Sequence, residues 1–328
     1  MPSKKQLPIR EALPQLQVDI AIGPERDTPS WRWVGRDLLS ELSKIVTVRS
    51  FKDYSSVPSA KCVLMIKHPC SKEQMEALSR KSKLVYCPID FISDEEHLRS
   101  LGWLFSGCGA IAVHCGRLSK YLASYNKKIF SVEHHDKFSV PCSAYKKTGY
   151  VLWVGGFQYA PYVLRYFRQN GIKERLRILS DIGNRFATSA AKRNAKAIGF
   201  DIDIKPRSVN GIEVVPWSEA EQSRMLSECK AAVDIKLEED FNQMTKPPTK
   251  AQKYVLSGVP LAVNPSSYSY EYFSAMGLNL PSPTDSGRWL SEGFHSETAE
   301  FSKKLRDRLT LSSVAETYIG IFREVTKQ

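Results

Sequence analysis

The sequence has no long apolar stretch. No run approaches the eighteen or so consecutive apolar residues that a membrane-spanning helix needs. The first 17 residues, MPSKKQLPIREALPQLQ, contain two lysines but no apolar core of the kind that secretory signals carry. We therefore expect a cytoplasmic protein, with any membrane contact limited to the inner face of the membrane.

Motifs of several large protein classes are also missing. The 7 cysteines are scattered without a C-x-x-C pair, which argues against a disulfide framework and against a zinc site. There is no H-x-x-H or H-E-x-x-H element, no G-x-S-x-G elbow, no P-loop and no G-x-G-x-x-G fingerprint. Asp201 and Asp203 come nearest to a metal-holding acidic pair, but they fall on a predicted surface turn. We predict no metal site.

Positive charge is what the chain has in excess. Lys and Arg number 47 against 35 Asp and Glu, a net charge of +12, and the first 148 residues hold 23 basic and 15 acidic side chains. Such a surplus favours an anionic partner: a phosphorylated substrate, an acidic membrane surface or nucleic acid. Nucleic acid is the least favoured of the three because no stripe of alternating aromatic and basic residues supports base stacking.

Strands and helices alternate along most of the chain, which predicts an α/β protein with two doubly wound sheets. A polar segment, residues 133–148, separates the two series, and we divide the chain into residues 1–145, 146–308 and a final helical segment 309–328. Predicted strands cover residues 17–23, 45–50, 60–67, 83–87, 109–114 and 129–132, then 150–154, 176–180, 211–215, 231–235 and 259–263. Predicted helices cover residues 33–43, 71–79, 94–101, 118–124, 160–170, 188–198, 219–229, 247–257 and 312–325.

The segment TKPPTKAQKYVLSGVPLAV, residues 245–263, is the most informative. Thr245 suits a helix N-cap, the two prolines suit the first turn and Gly258 suits the C-terminal cap. Lys246 and Lys250 flank the start of this helix, where free backbone N–H groups attract anions. The segment is either a diphosphate site or an ordinary capped helix with solvated lysines.

The same segment resembles the K-P-P-x-K … G-V-P stretch in the C-terminal domain of GT-B glycosyltransferases, near the large retaining family of sucrose-synthase and mannosyltransferase type. Other resemblances follow in family order: VLWVGG at residues 151–156, VVPWSE at 214–219 and AAVDI at 231–235. Residues 30–42 and 111–122 resemble two N-terminal segments of that family, and the last helix resembles one that crosses back onto the N-terminal domain. The resemblance implies two Rossmann-like domains facing each other across a cleft.

It also implies a metal-independent transfer of a sugar from a nucleotide-diphosphate donor to a polar acceptor, a glycan, a lipid-linked glycan or a protein, with no further cofactor. Lys246, Thr249, Lys250 and the amides after Gly155 would hold the diphosphate. The other donor-side candidates are Gly156 in the same turn, Trp217 where the base packs, and Glu239 beside the ribose or sugar. For Trp217 the alternative is a core tryptophan, and for Glu239 a solvated loop.

The acceptor-side candidates are two residues at predicted strand ends. Asp90 occupies the place of a family aspartate or histidine beside the acceptor, and otherwise it caps the helix that follows. His114 replaces a common family serine, and a lone histidine at a strand end is more often structural.

The family's pair of glutamates before the G-V-P turn is absent. Thr245 and Lys253 stand in those positions, and Phe157, Gln158 and Tyr159 replace the basic residues that usually follow the glycine turn. These departures leave open a non-catalytic scaffold or partner subunit, and a nucleotide-sugar epimerase, beside the transferase.

Overall fold

Two parallel sheets organise the protein, a computed structural model of which describes residues 19–327. The first sheet consists of β1 (Asp19–Gly23), β2 (Thr47–Ser50), β3 (Cys62–Ile66), β4 (Lys83–Cys87), β5 (Ala110–Val113) and β6 (Ile129–Ser131). Their order is β2-β1-β3-β4-β5-β6, and all neighbours run parallel. The predicted first strand began at residue 17, and residues 17 and 18 lie outside the described residues.

The second sheet is parallel except at one edge. Its strands are β7 (Val151–Val154), β8 (Leu176–Ser180), β9 (Ile204–Lys205), β10 (Ser208–Val209), β11 (Ile212–Pro216), β12 (Ala231–Asp234) and β13 (Leu261–Val263). Their order is β13-β12-β7-β8-β11-β10-β9. The short strand β10 pairs antiparallel with both of its neighbours, β9 and β11. The sequence analysis missed this two-strand edge because two residues carry no readable periodicity.

Helices cover both sheets. In the first half a π-helical segment (Trp31–Asp37) leads into α1 (Leu38–Leu42), followed by α2 (Lys72–Ser79), α3 (Glu95–Ser100), α4 (Gly102–Gly107) and α5 (Gly116–Leu122). In the second half, a 3-10 turn (Phe157–Tyr159) precedes α6 (Ala160–Gln169), and the others are α7 (Arg185–Ala197), α8 (Glu219–Glu228), α9 (Phe241–Met244), α10 (Thr249–Leu256), α11 (Tyr268–Ala275), α12 (Ser286–Trp289), α13 (Glu292–Arg308) and α14 (Leu311–Thr326). No helix in residues 19–327 is long and apolar enough to cross a membrane.

Helix α14 returns from the second domain to the first, as predicted. Its buried side chains, among them Tyr318, Ile319 and Phe322, join one core cluster with strand residues such as Ile20 and Leu64. This packing fixes the first sheet against the C-terminal end of the chain. The two-domain fold class with a returning helix is confirmed, whereas the boundaries at residues 145 and 308 remain predictions.

The start of α10 differs from the prediction. Thr245 is not its N-cap: Thr245 ends the short helix α9, where its hydroxyl donates a hydrogen bond to the Phe241 carbonyl at 2.8 Å. Pro248 occupies the N-cap position and offers no side-chain hydrogen bond to the helix. The first N–H groups of α10 therefore have no capping side chain.

Candidate functional site

The polar end of the second sheet lies against the start of α10. Parallel α/β sheets bind ligands at the carboxyl ends of their strands. Here β7 leads into Gly155 and Gly156, and β12 ends at Asp234. Tyr254 of α10 accepts a hydrogen bond from the Val154 amide at 3.0 Å, which fastens the helix to the end of β7. Strand ends and helix start thus form one surface.

Ammonium groups outnumber carboxylates on this surface. Lys236 Nζ lies 3.0 Å from Asp234 Oδ1, and the two side chains are 10% and 3% exposed. Burial alone would raise the pKa of the Asp234 carboxyl, but three neighbouring ammonium groups hold that pKa below its ordinary value. They belong to Lys236, Lys250 and Lys246. A single carboxylate therefore faces three lysines.

Lys250 and Lys246 lie beside aromatic rings at the end of β7. Lys250 Nζ is 5.8 Å from the centroid of the Trp153 ring, and Lys246 Nζ is 5.5 Å from that of Tyr159. Burial lowers the pKa of Lys250 to about 7; Lys236 lowers it too, while Asp234 acts in the opposite sense. An anion bound here would stabilise the charged form of Lys250.

Lys253 lies one helical turn further along α10 and reaches the first half of the chain. Its Nζ is 5.6 Å from the centroid of the Trp33 ring and 5.3 Å from that of Phe138. It also donates a hydrogen bond to Gln222 Oε1 at 3.3 Å. Burial lowers the pKa of Lys253 to about 8, although Asp136 opposes the shift.

Two buried N–H groups at this end of the sheet have no partner among the described residues: Trp153 Nε1 and Gln222 Nε2. Gln222 is 2% exposed, and its Oε1 already accepts from Lys253 and from Trp217 Nε1 at 3.2 Å, which fixes the orientation of the amide. Native structures rarely leave buried donors unsatisfied. The described residues of the site therefore offer fewer hydrogen-bond acceptors than donors.

Trp217 lies at the rim of the same surface. It follows β11, its amide donates to the Ser180 carbonyl at 3.0 Å, and its side chain is 48% exposed. The structure places it beside Gln222 and Lys253, as an exposed ring and not a core tryptophan.

The glycine turn is tightly packed. A Cβ on Gly155 would lie 2.4 Å from the Trp153 ring, so only glycine fits there without a shift of the indole. The amides after Gly155 are less free than predicted, because the Phe157 amide donates to Asp181 Oδ1 at 2.9 Å. The Tyr159 amide donates a hydrogen bond to the Gly156 carbonyl at 3.0 Å, which closes the turn.

The acidic loop after β12 divides its three carboxylates. Asp240 caps α9 by accepting from the Gln243 amide at 3.0 Å, and Glu238 accepts from the Ser266 hydroxyl at 2.5 Å. Glu239 is exposed and lies in the loop between them. Glu238 is exposed as well, and a contact between Glu239 and a ligand stays a prediction.

Thr249 and Lys253 of α10 face the first half of the chain across a narrow crevice. Trp33, His134 and His135 line the opposite wall, and the empty space amounts to about 190 Å³. Ligand pockets usually enclose about 300–1,000 Å³. This crevice by itself is therefore too small to admit a nucleotide.

Asp90 lies on the facing edge of the first sheet. It follows β4 with φ of 50°, is exposed, and shares a small crevice with Asn242 and Thr245 of the second domain. Burial raises the pKa of Tyr159, and the carboxylates of Asp240 and Asp90 add to that shift. The crevice shared with Asn242 and Thr245 places Asp90 at the contact with the second domain. The alternative role is wrong: Asp94 caps the next helix, accepting from the His97 amide at 2.7 Å.

His114 occupies a buried position instead of an open one. It is 8% exposed, its ring stacks on His134 with centroids 4.1 Å apart, and its nitrogens face Cys87 Sγ at 3.7 Å and Tyr318 Oη at 3.5 Å. Burial lowers the pKa of His114 to about 3. The ring is a neutral part of the packing between β5, the interdomain segment and α14, which does not suit the predicted catalytic role.

The structure thus brings Gly155, Trp217, Lys246, Thr249 and Lys250 to one edge of the second sheet and sets Asp90 opposite them. The sequence analysis did not find Asp234, Lys236 or Gln222. Asp234 ends a readable strand and Lys236 follows it, and polar residues at that strand end were the available signal. Gln222 lies inside an amphipathic helix and gave none. Within residues 19–327 no group of three His, Cys, Asp or Glu side chains is arranged to hold a metal ion.

A wider groove, with about 1060 Å³ of open space, lies at the other edge of the second sheet. It is lined by Phe167, Arg175, Phe200 and Ile212 near the amino ends of β8 and β11. Because ligands of such sheets bind at the carboxyl ends, we keep the lysine-rich edge as the candidate site.

No family model and no curated protein matches the sequence. Solved structures do match the fold. AviGT4, a glycosyltransferase involved in avilamycin A biosynthesis, aligns with a TM-score of 0.59 at 10% identity, over 94% of this chain and 98% of its own. The GtfA/B complex aligns with a TM-score of 0.51 at 14% identity, over 81% of this chain and 58% of its own.

TarM of S. aureus, in a variant solved with fondaparinux, α-GlcNAc-glycerol and UDP, aligns with a TM-score of 0.51 at 11% identity. That match covers 79% of this chain and 55% of TarM. The chain therefore spans nearly all of AviGT4 but little more than half of the other two. The chain therefore has the GT-B fold, which confirms the fold class predicted from the sequence.

Proposed function

We propose that this protein transfers a sugar from a nucleotide-diphosphate donor, held at the carboxyl end of the second sheet, to an acceptor hydroxyl held by the first domain. The observation that carries the proposal is the surplus of hydrogen-bond donors over acceptors around the start of α10. Lys246, Lys250 and Lys253 share one edge with the unpartnered N–H groups of Trp153 and Gln222.

Charge narrows the class of ligand. The carboxylate that lies among Lys236, Lys246 and Lys250, that of Asp234, is already 3.0 Å from Lys236. The remaining ammonium groups need a partner that supplies two or more negative charges and several oxygen acceptors, as a diphosphate does. The uncapped first turn of α10 adds backbone N–H groups that suit the same ligand.

The same groups would assist the reaction. As the bond between the anomeric carbon and the donor phosphate oxygen breaks, negative charge develops on the diphosphate, and ammonium groups fixed in place stabilise it without a metal. The acceptor oxygen forms the new bond to the anomeric carbon and loses its proton. We place Asp90 beside that hydroxyl, because Asp90 borders the second domain in the crevice with Asn242 and Thr245 and is exposed to take up the proton.

Binding would change the contact between the domains at Lys253. The crevice between Thr249 and Trp33 is too small for a nucleotide, and the ammonium group of Lys253 lies against the Trp33 and Phe138 rings. Movement of the domains away from each other would free this ammonium group. We expect Lys253 to leave the Trp33 and Phe138 rings when a ligand enters.

Calorimetry with UDP, GDP and TDP and their sugars tests the donor site. We expect one nucleotide series to bind, and Lys250→Gln to weaken its binding by about 1.5–3 kcal/mol, the scale of a charge-assisted contact. Lys196→Gln removes an exposed lysine from α7 in the same domain and serves as the control. Unchanged affinity in Lys250→Gln, or equal losses in both variants, would contradict the assignment.

One observation favours a second function, a nucleotide-binding subunit without activity. Thr245 and Lys253 occupy the places of the glutamate pair, and the Thr245 hydroxyl is engaged with the Phe241 carbonyl. Slow hydrolysis of the bound nucleotide sugar in the absence of acceptor would support the transferase. Binding without any turnover would support the inactive subunit, and release of an isomerised sugar would indicate an epimerase.

A further inference from the structure

A second group of cationic side chains lies at the carboxyl edge of the first sheet. Arg26 follows β1, and Lys67 and His68 follow the neighbouring strand β3. Arg26 donates hydrogen bonds only to carbonyl oxygens, those of Glu25 at 2.8 Å and Lys52 at 2.7 Å. Neither Arg26 nor Lys67 forms an ion pair within residues 19–327.

The backbone holds Lys67 in an unusual conformation. Its φ of 60° lies in the left-handed region, which lysine rarely adopts. The Lys67 amide donates to the Cys87 carbonyl at 2.8 Å, and the Tyr86 hydroxyl donates to the Lys67 carbonyl at 2.7 Å. Tyr54 secures the next residue by donating to the His68 carbonyl at 2.6 Å. Strained residues that are fixed in this way concentrate at functional sites.

His68 completes the group. Its Nε2 is buried and has no hydrogen-bond partner among the described residues. Burial lowers the pKa of His68, and the charges of Lys67 and Arg26 lower it further. The loop that contains Lys52 and Tyr54 joins Arg26 to His68, since Arg26 donates to the Lys52 carbonyl and Tyr54 donates to the His68 carbonyl. The group therefore combines positive charge with an unpartnered ring nitrogen.

This edge faces the second domain. Strand β4 pairs with β3, and the loop after β4 meets the second domain where Asn242 Nδ2 donates to the Ile92 carbonyl at 3.0 Å. Asp90, in that loop, also has a left-handed backbone, with φ of 50°. Lys67 and His68 therefore lie one strand away from Asp90, and Arg26 two strands away, on the acceptor side of the cleft.

We propose that Arg26, Lys67 and His68 bind an anionic group, a phosphate or a carboxylate, carried by the acceptor. This inference rests on the proposed transferase function. A bound anion would satisfy the unpartnered His68 nitrogen, and its charge would favour the protonated ring. The acceptor is then an acidic molecule that is held at some distance from the hydroxyl it presents to Asp90.

NMR of the full chain labelled at its 6 histidines tests this site. The pKa of His68, identified by the resonance missing from His68→Gln, is measured with and without inorganic phosphate, and with acetate in place of phosphate, at constant ionic strength. Lys67→Asn removes the charge while keeping a residue that tolerates left-handed backbone. Lys83→Asn is the control, since Lys83 is exposed at the amino end of β4.

We expect phosphate to raise the pKa of His68, and Lys67→Asn to weaken this effect about tenfold or more in phosphate concentration while Lys83→Asn leaves it unchanged. A response to acetate alone identifies a carboxylate-bearing acceptor. The inference fails if neither anion raises the pKa, if the two variants respond alike, or if UDP produces the shift in their place. If the donor site is separate, the Lys67→Asn variant binds UDP with the same affinity as the wild type. If the wild type does not bind UDP at all, that result counts against the proposed function and not against the anion site.

Discussion

Lys250 should make nucleotide binding depend on pH near neutrality. In the free protein, burial lowers its pKa to about 7, and Lys236 acts in the same direction. A bound diphosphate would supply the missing negative charge and raise that pKa again. Binding would therefore take up a proton wherever the free Lys250 is deprotonated.

The size of the effect follows from that pKa. With a pKa of about 7, the protonated fraction of Lys250 falls from about nine-tenths at about pH 6 to about one-tenth at about pH 8. If only the ammonium form binds the diphosphate, the apparent Kd rises about tenfold over this interval, or about 1.4 kcal/mol. Lys253, with a pKa of about 8, would steepen the loss at higher pH.

Isothermal calorimetry with the nucleotide sugar that binds best measures this dependence, since the diphosphate of a nucleotide sugar does not titrate near neutrality. Repeating each titration in buffers of different ionisation enthalpy counts the protons taken up. Lys250→Arg is the matched variant: its guanidinium stays charged, so it should bind with little dependence on pH. Equal affinity of the wild type at both pH values, or a dependence that persists in Lys250→Arg, would refute the reasoning.

Three further substitutions test the stability of the fold and the role of the glycine turn. Lys250→Met should raise the free energy of unfolding near neutral pH by about 1 kcal/mol or more. Folding lowers the pKa of Lys250, so at any pH below the pKa of this lysine in the unfolded chain its ammonium group destabilises the folded state. Urea melts that show no gain in stability would contradict this prediction. Phe322→Ala should lower the free energy of unfolding by about 3–5 kcal/mol. The control Glu316→Ala, at an exposed position of the same helix, should change it by less than about 0.5 kcal/mol. Similar losses in both variants would show that α14 does not pack on the first sheet as described. Gly155→Ala places a Cβ 2.4 Å from the Trp153 ring, so thermal shift should lose its response to nucleotide.

Strands were predictable where most of their residues are apolar and buried. The ranges Lys83–Cys87 and Leu176–Ser180 agree with the prediction at both ends, and Cys62–Ile66 lies within it. Each is a central strand, which helices cover on both sides. The start of α2 was readable for a local reason: Ser71 and Gln74 form the reciprocal capping box that their spacing predicts.

Helix α13 shows where pattern fails. Its buried face carries Phe294, Thr298, Ser302 and Leu305, so two of the four core positions hold hydroxyl residues. Thr298 is fully buried because its hydroxyl donates to the Phe294 carbonyl at 2.8 Å, and Ser302 is satisfied by the Ala299 carbonyl at the same distance. Hydrophobic periodicity treats such residues as surface, and a helix of 17 residues stayed unassigned.

Only those residues of the candidate site that are close together in the sequence could be predicted as a group. Lys246, Thr249 and Lys250 share one segment with a recognisable helix start, and the sequence located them together. Gln222 comes from α8 and Lys236 from the end of β12, and tertiary packing alone brings them to α10. His114 failed for the complementary reason, because the histidine that covers it, His134, lies in the segment predicted to be a polar linker.

The clustering of lysines around one carboxylate is itself an argument about function. Burial and the neighbouring lysines lower the pKa of Lys250, and burial lowers that of Lys253, so ammonium groups held in this site destabilise the fold. Two unpartnered N–H groups, on Trp153 and Gln222, add to it. A site of purely structural purpose would relieve these strains with a carboxylate or an apolar side chain, whereas an anionic ligand relieves all of them at once. The same reasoning applies to Arg26, Lys67 and His68 across the cleft, which is why the nucleotide and the acceptor can be probed by separate anions.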